Sequence, residues 1–159
     1  MAEKCISCEY AISILIAKNQ GFLDLSQTDY PLLDTAWSVI QIPDPDQLNE
    51  IYKKYCRYKK FKSVMPIFDS EYIDQRNDVI GYWHNDQLVA FSILRRYDYI
   101  NVEAVQFAWD YAEPRLGLGI ASLKNECAYY KQQGFKYLYL GGADEYKKKI
   151  QGFELLGPA

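Results

Sequence analysis

The residues best placed to do chemistry stand in one short stretch. Glu113-Pro114-Arg115-Leu116-Gly117-Leu118-Gly119 is a glycine-bearing turn that opens at Ile120 into a segment with helical periodicity. The first backbone N–H groups of a helix have no intrahelical acceptor, and glycine lets a ligand approach them closely. Gly117, Leu118, Gly119 and Ile120, led in by Arg115 and Leu116, would therefore cradle a phosphate or another anion. The turn lacks the Gly-Lys-Ser/Thr ending of a P-loop and the third glycine of a dinucleotide-binding turn, which disfavours both nucleotide folds. Two glycines would also serve a tight turn into a helix with no ligand at all.

A second stretch has a different chemistry. Tyr52-Lys53-Lys54-Tyr55-Cys56-Arg57-Tyr58-Lys59-Lys60-Phe61-Lys62 interleaves cations with aromatic rings, as RNA-binding surfaces often do, and Lys53, Lys54 and Arg57 would contact RNA. The spacing of Ile51, Tyr55 and Tyr58 equally describes an amphipathic helix with tyrosines inward and lysines in solvent. Cys5 and Cys8 supply half of a tetrahedral zinc site, but Cys56, Cys127 and the single His84 are not spaced as the other half, so no metal is expected.

These residues must be positioned by a chain of 159 residues, the length of one ordinary domain, here taken as residues 1–159 with a short helical segment over 1–33 and a core over 34–159. Hydrophobic residues at 49% and charged residues at 25% are globular values, and no apolar run is long enough to cross a bilayer. A net charge of −3 gives no global attraction to nucleic acid, which leaves DNA out and confines any RNA contact to the local basic patch. With no basic n-region or cleavage site near the start, the thiols are expected to be reduced and the protein cytoplasmic.

The periodicities place a helix over residues 8–19, ended by Gly21, and a strand over 36–42, stopped by Pro43. Asp44 is a helix N-cap, and Pro45 suits the first turn of a helix that runs to about Tyr58. Residues 78–83 and 87–95, around Asn85 and Asp86, form a hairpin, and 101–109 adds a third antiparallel strand in which Val102, Ala104 and Phe107 alternate with Glu103 and Gln106. After the glycine turn come a helix over 120–133, closed by Gly134, and a buried strand over 137–140 parallel to the one before the turn. A short Lys-rich helix and a last strand over 153–156 complete the chain.

Antiparallel strands, a glycine loop, a helix, a parallel strand, a helix and a last strand is an order that resembles the GNAT acyltransferase superfamily. The resemblance implies an α+β fold in three layers, with a mixed, mostly antiparallel sheet splayed at a central parallel strand pair and flanked by helices. Within it, Gly134-Phe135-Lys136-Tyr137-Leu138-Tyr139-Leu140-Gly141 resembles the Gly-Leu-Pro-Tyr-x-Tyr-Leu-Gly signature of aminoacyl-tRNA–protein transferases, the arginyl and leucyl transferases that label protein N-termini. Val105-Gln106-Phe107-Ala108-Trp109-Asp110-Tyr111 resembles their aromatic strand and acidic turn, and Leu118-Gly119 their helix entry. The likeness covers roughly the last sixty residues well and the remainder weakly. The chain departs from this pattern in lacking the Arg pair that usually follows Gly-Phe and in having Arg115 two positions before Gly117 where acetyltransferases have three.

The resemblance implies transfer of an acyl or aminoacyl group to an amine, from aminoacyl-tRNA or from acetyl-CoA, with a protein or small-molecule amine as acceptor. A third reading is a GNAT-fold module that binds a partner without catalysis. Transfer needs a base for the ammonium proton, a donor to the carbonyl oxygen and an acid for the leaving group. Asp110 and Glu103 are the candidate bases, Gln106 and Trp109 would contact the acceptor, and Tyr146 would protonate the departing oxygen or thiolate. Glu103 also reads as a surface carboxylate on an alternating strand, and Tyr146 as one of fifteen tyrosines that only packs. His84 reads as a solvated turn residue, and Cys127 as a core thiol on an amphipathic helix.

Overall fold

The computed structural model describes residues 20–61, 66–110, 117–142 and 145–156. Its strands are β1 (Gln20–Asp24), β2 (Trp37–Val39), β3 (Asn77–His84), β4 (Gln87–Arg96), β5 (Asn101–Trp109), β6 (Tyr137–Gly142) and β7 (Phe153–Leu156). Its α-helices are α1 (Pro45–Lys59), α2 (Asp69–Ile73) and α3 (Leu118–Gln132). The strands make one sheet in the order β2-β3-β4-β5-β6-β1-β7, antiparallel everywhere except between β5 and β6.

Strand alternation divides the core into two layers. Phe91 and Ile93 of β4 face α1 and α2, where Leu48, Ile51, Tyr52, Cys56 and Tyr72 cover them. Ala90 and Leu94 face the other way, with Ile80 and Tyr82 of β3, onto Leu123, Cys127 and Tyr130 of α3. The sheet is thus sandwiched between helices, which is the expected three-layer α+β architecture.

Local signals in the sequence account for most of the boundaries. The Asp44 carboxylate caps α1 by accepting from the amides of Asp46 and Gln47, at 3.1 and 3.4 Å. Asp44→Ala should therefore cost about 1 kcal/mol, read as a small fall in the midpoint of thermal unfolding. Asn85 and Asp86 both have positive φ, the backbone of a type I′ turn, so the β3–β4 hairpin forms where its turn residues place it.

The chain differs from expectation at Gln20 and Gly21. Residues 8–19, the expected first helix, lie outside the described residues, as do Cys5 and Cys8. Gln20 begins strand β1 inside the segment 1–33 that was expected to be helical, and this strand separates β6 from β7 in the sheet. Gly21, read as a helix stop, instead lies within that strand under the Phe153 ring, where a Cβ would come within 2.3 Å of the ring edge.

The parallel pairing of β5 with β6 is short. Asn101, Val102 and Glu103 pair with Tyr137, Leu138 and Tyr139, and there the ladder ends although both strands continue. Just past this point each strand carries an extra residue against its other neighbour: Val105 in β5 against β4, and Leu140 in β6 against β1. A bulge bends its strand and re-aims the side chains beyond it. Two bulges side by side at the end of the ladder therefore open the sheet.

Candidate functional site

The opening holds a cavity of about 240 Å³. Ala104, Gln106 and Phe107 wall it from β5, Leu140 from β6, Gly119, Ser122, Leu123 and Glu126 from α3, Tyr55 from α1, and Tyr146 and Lys147 from the segment after β6. The bulge at Val105 explains how Ala104 and Phe107, three apart, share one wall.

The N-terminus of α3 opens on this cavity. Gly117 sits at the N-cap with φ of 60°, a left-handed conformation that glycine adopts without strain, and it supplies no side-chain cap to the helix. The first intrahelical bond runs from the Ala121 amide to the Gly117 carbonyl, so the amides of Leu118, Gly119 and Ile120 lie ahead of the ladder. A Cβ built on Gly119 would meet nothing nearer than the Phe107 ring, at 3.9 Å. Arg115 and Leu116 lie outside the described residues.

The sequence-derived residues divide into two sets. Gly119, Gln106 and Tyr146 meet at the cavity, and Tyr146 is well exposed at its mouth. Lys147 beside it donates to the carbonyls of Leu140 and Gly142, at 3.2 and 3.1 Å, which holds an ammonium where the two strands part. Asp110, Glu103 and Trp109 are not among the residues that wall the cavity. The Asp110 carboxylate pairs with Lys54, at 3.0 Å, so a candidate base and a candidate RNA contact neutralise one another. Glu103 accepts a hydrogen bond from Tyr97, and Trp109 is buried in the α3 side of the core. Lys53 is exposed and paired loosely with Glu50, and Arg57 lines a groove with Tyr52 and Cys56.

Glu126, at the cavity, is not among the sequence-derived candidates. Glu126 is buried, and its Oε2 accepts from the Tyr82 hydroxyl at 2.5 Å and the Ser92 hydroxyl at 2.8 Å. Burial pushes its carboxyl up to about 7, while the hydrogen bonds from Tyr82 and Ser92 pull the other way. The sequence does carry a signal for it: Leu123, Glu126, Cys127 and Tyr130 share one helix face, and Ser92 interrupts the apolar row of β4, so two polar residues stand where the pattern calls for apolar ones.

Comparisons with known proteins agree on the architecture. The family described as "Arginine-tRNA-protein transferase, C terminus" matches residues 43–156. No curated protein matches the chain. Among solved structures, L-PGS from Bacillus licheniformis superposes with a TM-score of 0.60 at 15% identity, over 79% of this chain and 46% of that one. A putative acetyltransferase of the GNAT family from Novosphingobium aromaticivorans gives 0.60 at 14% identity, over 87% and 59%. The ribosomal-protein-S18-alanine N-acetyltransferase from Escherichia coli gives 0.54 at 19% identity, over 65% and 64%. The chain thus spans less than two thirds of each of these proteins, and at such identities the likeness establishes a GNAT-like fold. Among the described residues no helix is long and apolar enough to cross a membrane.

Proposed function

Because the chain belongs to the family of the arginine-tRNA-protein transferase C terminus, we propose that it transfers an aminoacyl group from charged tRNA to an amine, in the manner of arginyl or leucyl transfer to protein N-termini. The observation that carries this reading is the cavity at the end of the β5–β6 ladder, where the first amides of a helix, an anchored ammonium and hydroxyl and carboxyl groups converge. The amides of Leu118, Gly119 and Ile120 would face the anionic part of the donor. Lys147 would steady the carbonyl oxygen as negative charge grows on it. Tyr146 at the mouth would protonate the leaving oxygen, and Gln106 would orient the acceptor, a protein or small-molecule amine. Asp110 and Glu103 would serve as bases only after leaving the partners they now hold.

The exposed cations of α1 support tRNA as the donor. Lys53, Lys54 and Arg57 are exposed, and Lys53 and Arg57 line one groove on the flank of the helix beside Tyr52 and Cys56. Lys53→Glu and Arg57→Glu should each weaken tRNA binding and lower the slope of log affinity against log salt by about 1, with binding of acetyl-CoA unchanged. A salt titration of each variant reads the effect.

A second reading, acetyl-CoA as donor, is favoured by the helix terminus, which would serve a pyrophosphate equally well. Thermal-shift titrations with arginyl-tRNA, leucyl-tRNA, acetyl-CoA and CoA at low and physiological salt separate the two. Salt-sensitive stabilisation by charged tRNA alone supports aminoacyl transfer, saturable stabilisation by CoA transfers the assignment to acetylation, and no shift with any of them defeats both.

A further inference from the structure

Glu126 is a carboxyl group buried on a helix of the core, reached by two hydroxyls and open to the cavity in which the proposed transfer would take place. A buried acid of this kind, kept only for packing, would be worse than a leucine at the same site, because its desolvation exceeds what two hydrogen bonds return. Its surroundings are also arranged for more than one protonation state. With Glu126 ionised, Tyr82 and Ser92 both donate to Oε2. With Glu126 neutral, its own hydrogen needs an acceptor, and the Tyr82 oxygen supplies one if the tyrosine turns its hydrogen elsewhere. The Ser122 carbonyl lies 3.2 Å from that hydroxyl and can take it. Neither state strands a buried donor, so a proton can arrive and leave without rearranging the core.

We infer that Glu126 is a catalytic base of the cavity, taking the first proton from the acceptor ammonium, with Tyr82 turning its hydroxyl from Glu126 to the Ser122 carbonyl as it does so. The inference rests on the acyl-transfer reading above. The ammonium gives one proton to the Glu126 carboxylate and becomes a free amine. The amine nitrogen attacks the acyl carbon, the carbon–nitrogen bond forms, and the bond from that carbon to the leaving oxygen or sulfur breaks. The second nitrogen proton ends on the leaving group, by way of Tyr146, and Glu126 passes the first to solvent. Glu126 stands seven residues beyond Gly119, about 10 Å along α3, so one helix presents amides to the donor at its start and a proton acceptor to the amine two turns on.

The titratable and charged groups around Glu126 leave it the proton-handling role. Tyr82 faces it from β3, and Cys127 and Tyr130 flank it on α3. Burial drives Tyr82 and Tyr130 upward, and Cys127 up to about 12, all away from neutrality. Tyr55 looks into the cavity from α1, and Tyr146 and Lys147 from the segment after β6. Ser92 from β4 and Gln106 from β5 do not titrate.

The test compares single-turnover transfer to a peptide with a free amino terminus by wild type, Glu126→Gln and Asp110→Asn across the pH range, using arginyl-tRNA, leucyl-tRNA and acetyl-CoA as donors. Glutamine still accepts from Tyr82 and Ser92 but takes no proton. Its rate should fall about 100-fold or more and lose the rise through neutral pH, with donor affinity unchanged, whereas in Asp110→Asn, the rival base, the rise through neutral pH should persist whatever the rate. A Glu126→Gln rate and pH profile equal to wild type would overturn the assignment, as would the pH dependence vanishing in Asp110→Asn instead.

If wild type transfers from none of these donors, the transfer reading fails by itself. Glu126 is then judged by carbon NMR of its labelled carboxyl in the intact protein. A midpoint near neutrality that falls on adding the free-amine peptide, and not its N-acetylated form, upholds an amine-facing base. A midpoint in the ordinary carboxylate range, or no response to the amine, rejects it.

Discussion

Gly119→Trp is expected to weaken donor binding by at least about 100-fold while the protein unfolds as wild type does. The asymmetry follows from where this glycine sits. It lies in the first turn of α3 and faces the cavity, and its nearest neighbour across the space is the edge of the Phe107 ring. A side chain there meets no backbone and needs no change of φ, and tryptophan is a better helix residue than glycine by a few tenths of a kcal/mol. An indole filling the space would cover the amides of Leu118 and Ile120 and stand between them and any phosphate or carbonyl. Gly119→Ala is the control, because a single methyl at that position meets only an ordinary contact, and its donor affinity should stay within a few-fold of wild type. Isothermal titration of both variants with the donor that stabilises wild type decides the matter, and equal affinity in Gly119→Trp would remove the helix terminus from the site.

Glu126→Gln should make the protein more stable, and increasingly so as pH rises. In the folded protein the Glu126 carboxyl is raised from an ordinary value of 4.5 to about 7, chiefly by burial. Between those two values the folded state holds a proton that the unfolded state has released, so wild-type stability falls as pH rises from about 4.5 to about 7 and is level above that. The full penalty is about 3 kcal/mol, an upper bound on what glutamine avoids. Denaturant unfolding of the two proteins should nearly coincide near pH 4.5, separate progressively up to about pH 7 and differ by a constant amount above it. Parallel curves across that range would show that Glu126 titrates normally. A core position that carries such a penalty is one where function rather than stability sets the residue.

The strands and helices that frame the site are legible in the sequence because each carries a local signal: Asp44 and Pro45 start α1, Asn85 and Asp86 turn the hairpin, and Gly134 follows α3. The parallel partner of β5 is legible too, as an apolar run after a helix. What the sequence hides is long-range. Gly21 reads as a helix stop because its role in β1, lying under the Phe153 ring, depends on a residue 132 positions away. The splay is implied only by family resemblance, since its physical cause is a pair of bulges, at Val105 and Leu140, each defined by what the neighbouring strand does. A parity change from Val102 and Ala104 to Phe107 is the trace of one of them.

Among the candidate groups, spacing finds the helix entry but gives no weight to pairing. Asp110 and Lys54 stand 56 positions apart, and only the packing of α1 onto β5 shows that they meet. Glu126 is inconspicuous because a charged residue on a helix is ordinarily a solvated one. Its face, shared with Leu123, Cys127 and Tyr130, is the information that distinguishes it.

The most direct test of the central claim is transfer itself. The purified protein is incubated with arginyl-tRNA or leucyl-tRNA carrying an isotope-labelled amino acid and a peptide with a free amino terminus, and the peptide is analysed by mass spectrometry. The account predicts a mass increase of one aminoacyl residue at the peptide's terminal nitrogen, lost in Gly119→Trp. A peptide left unmodified by charged tRNA and by acetyl-CoA, under conditions where the protein is folded, would contradict it.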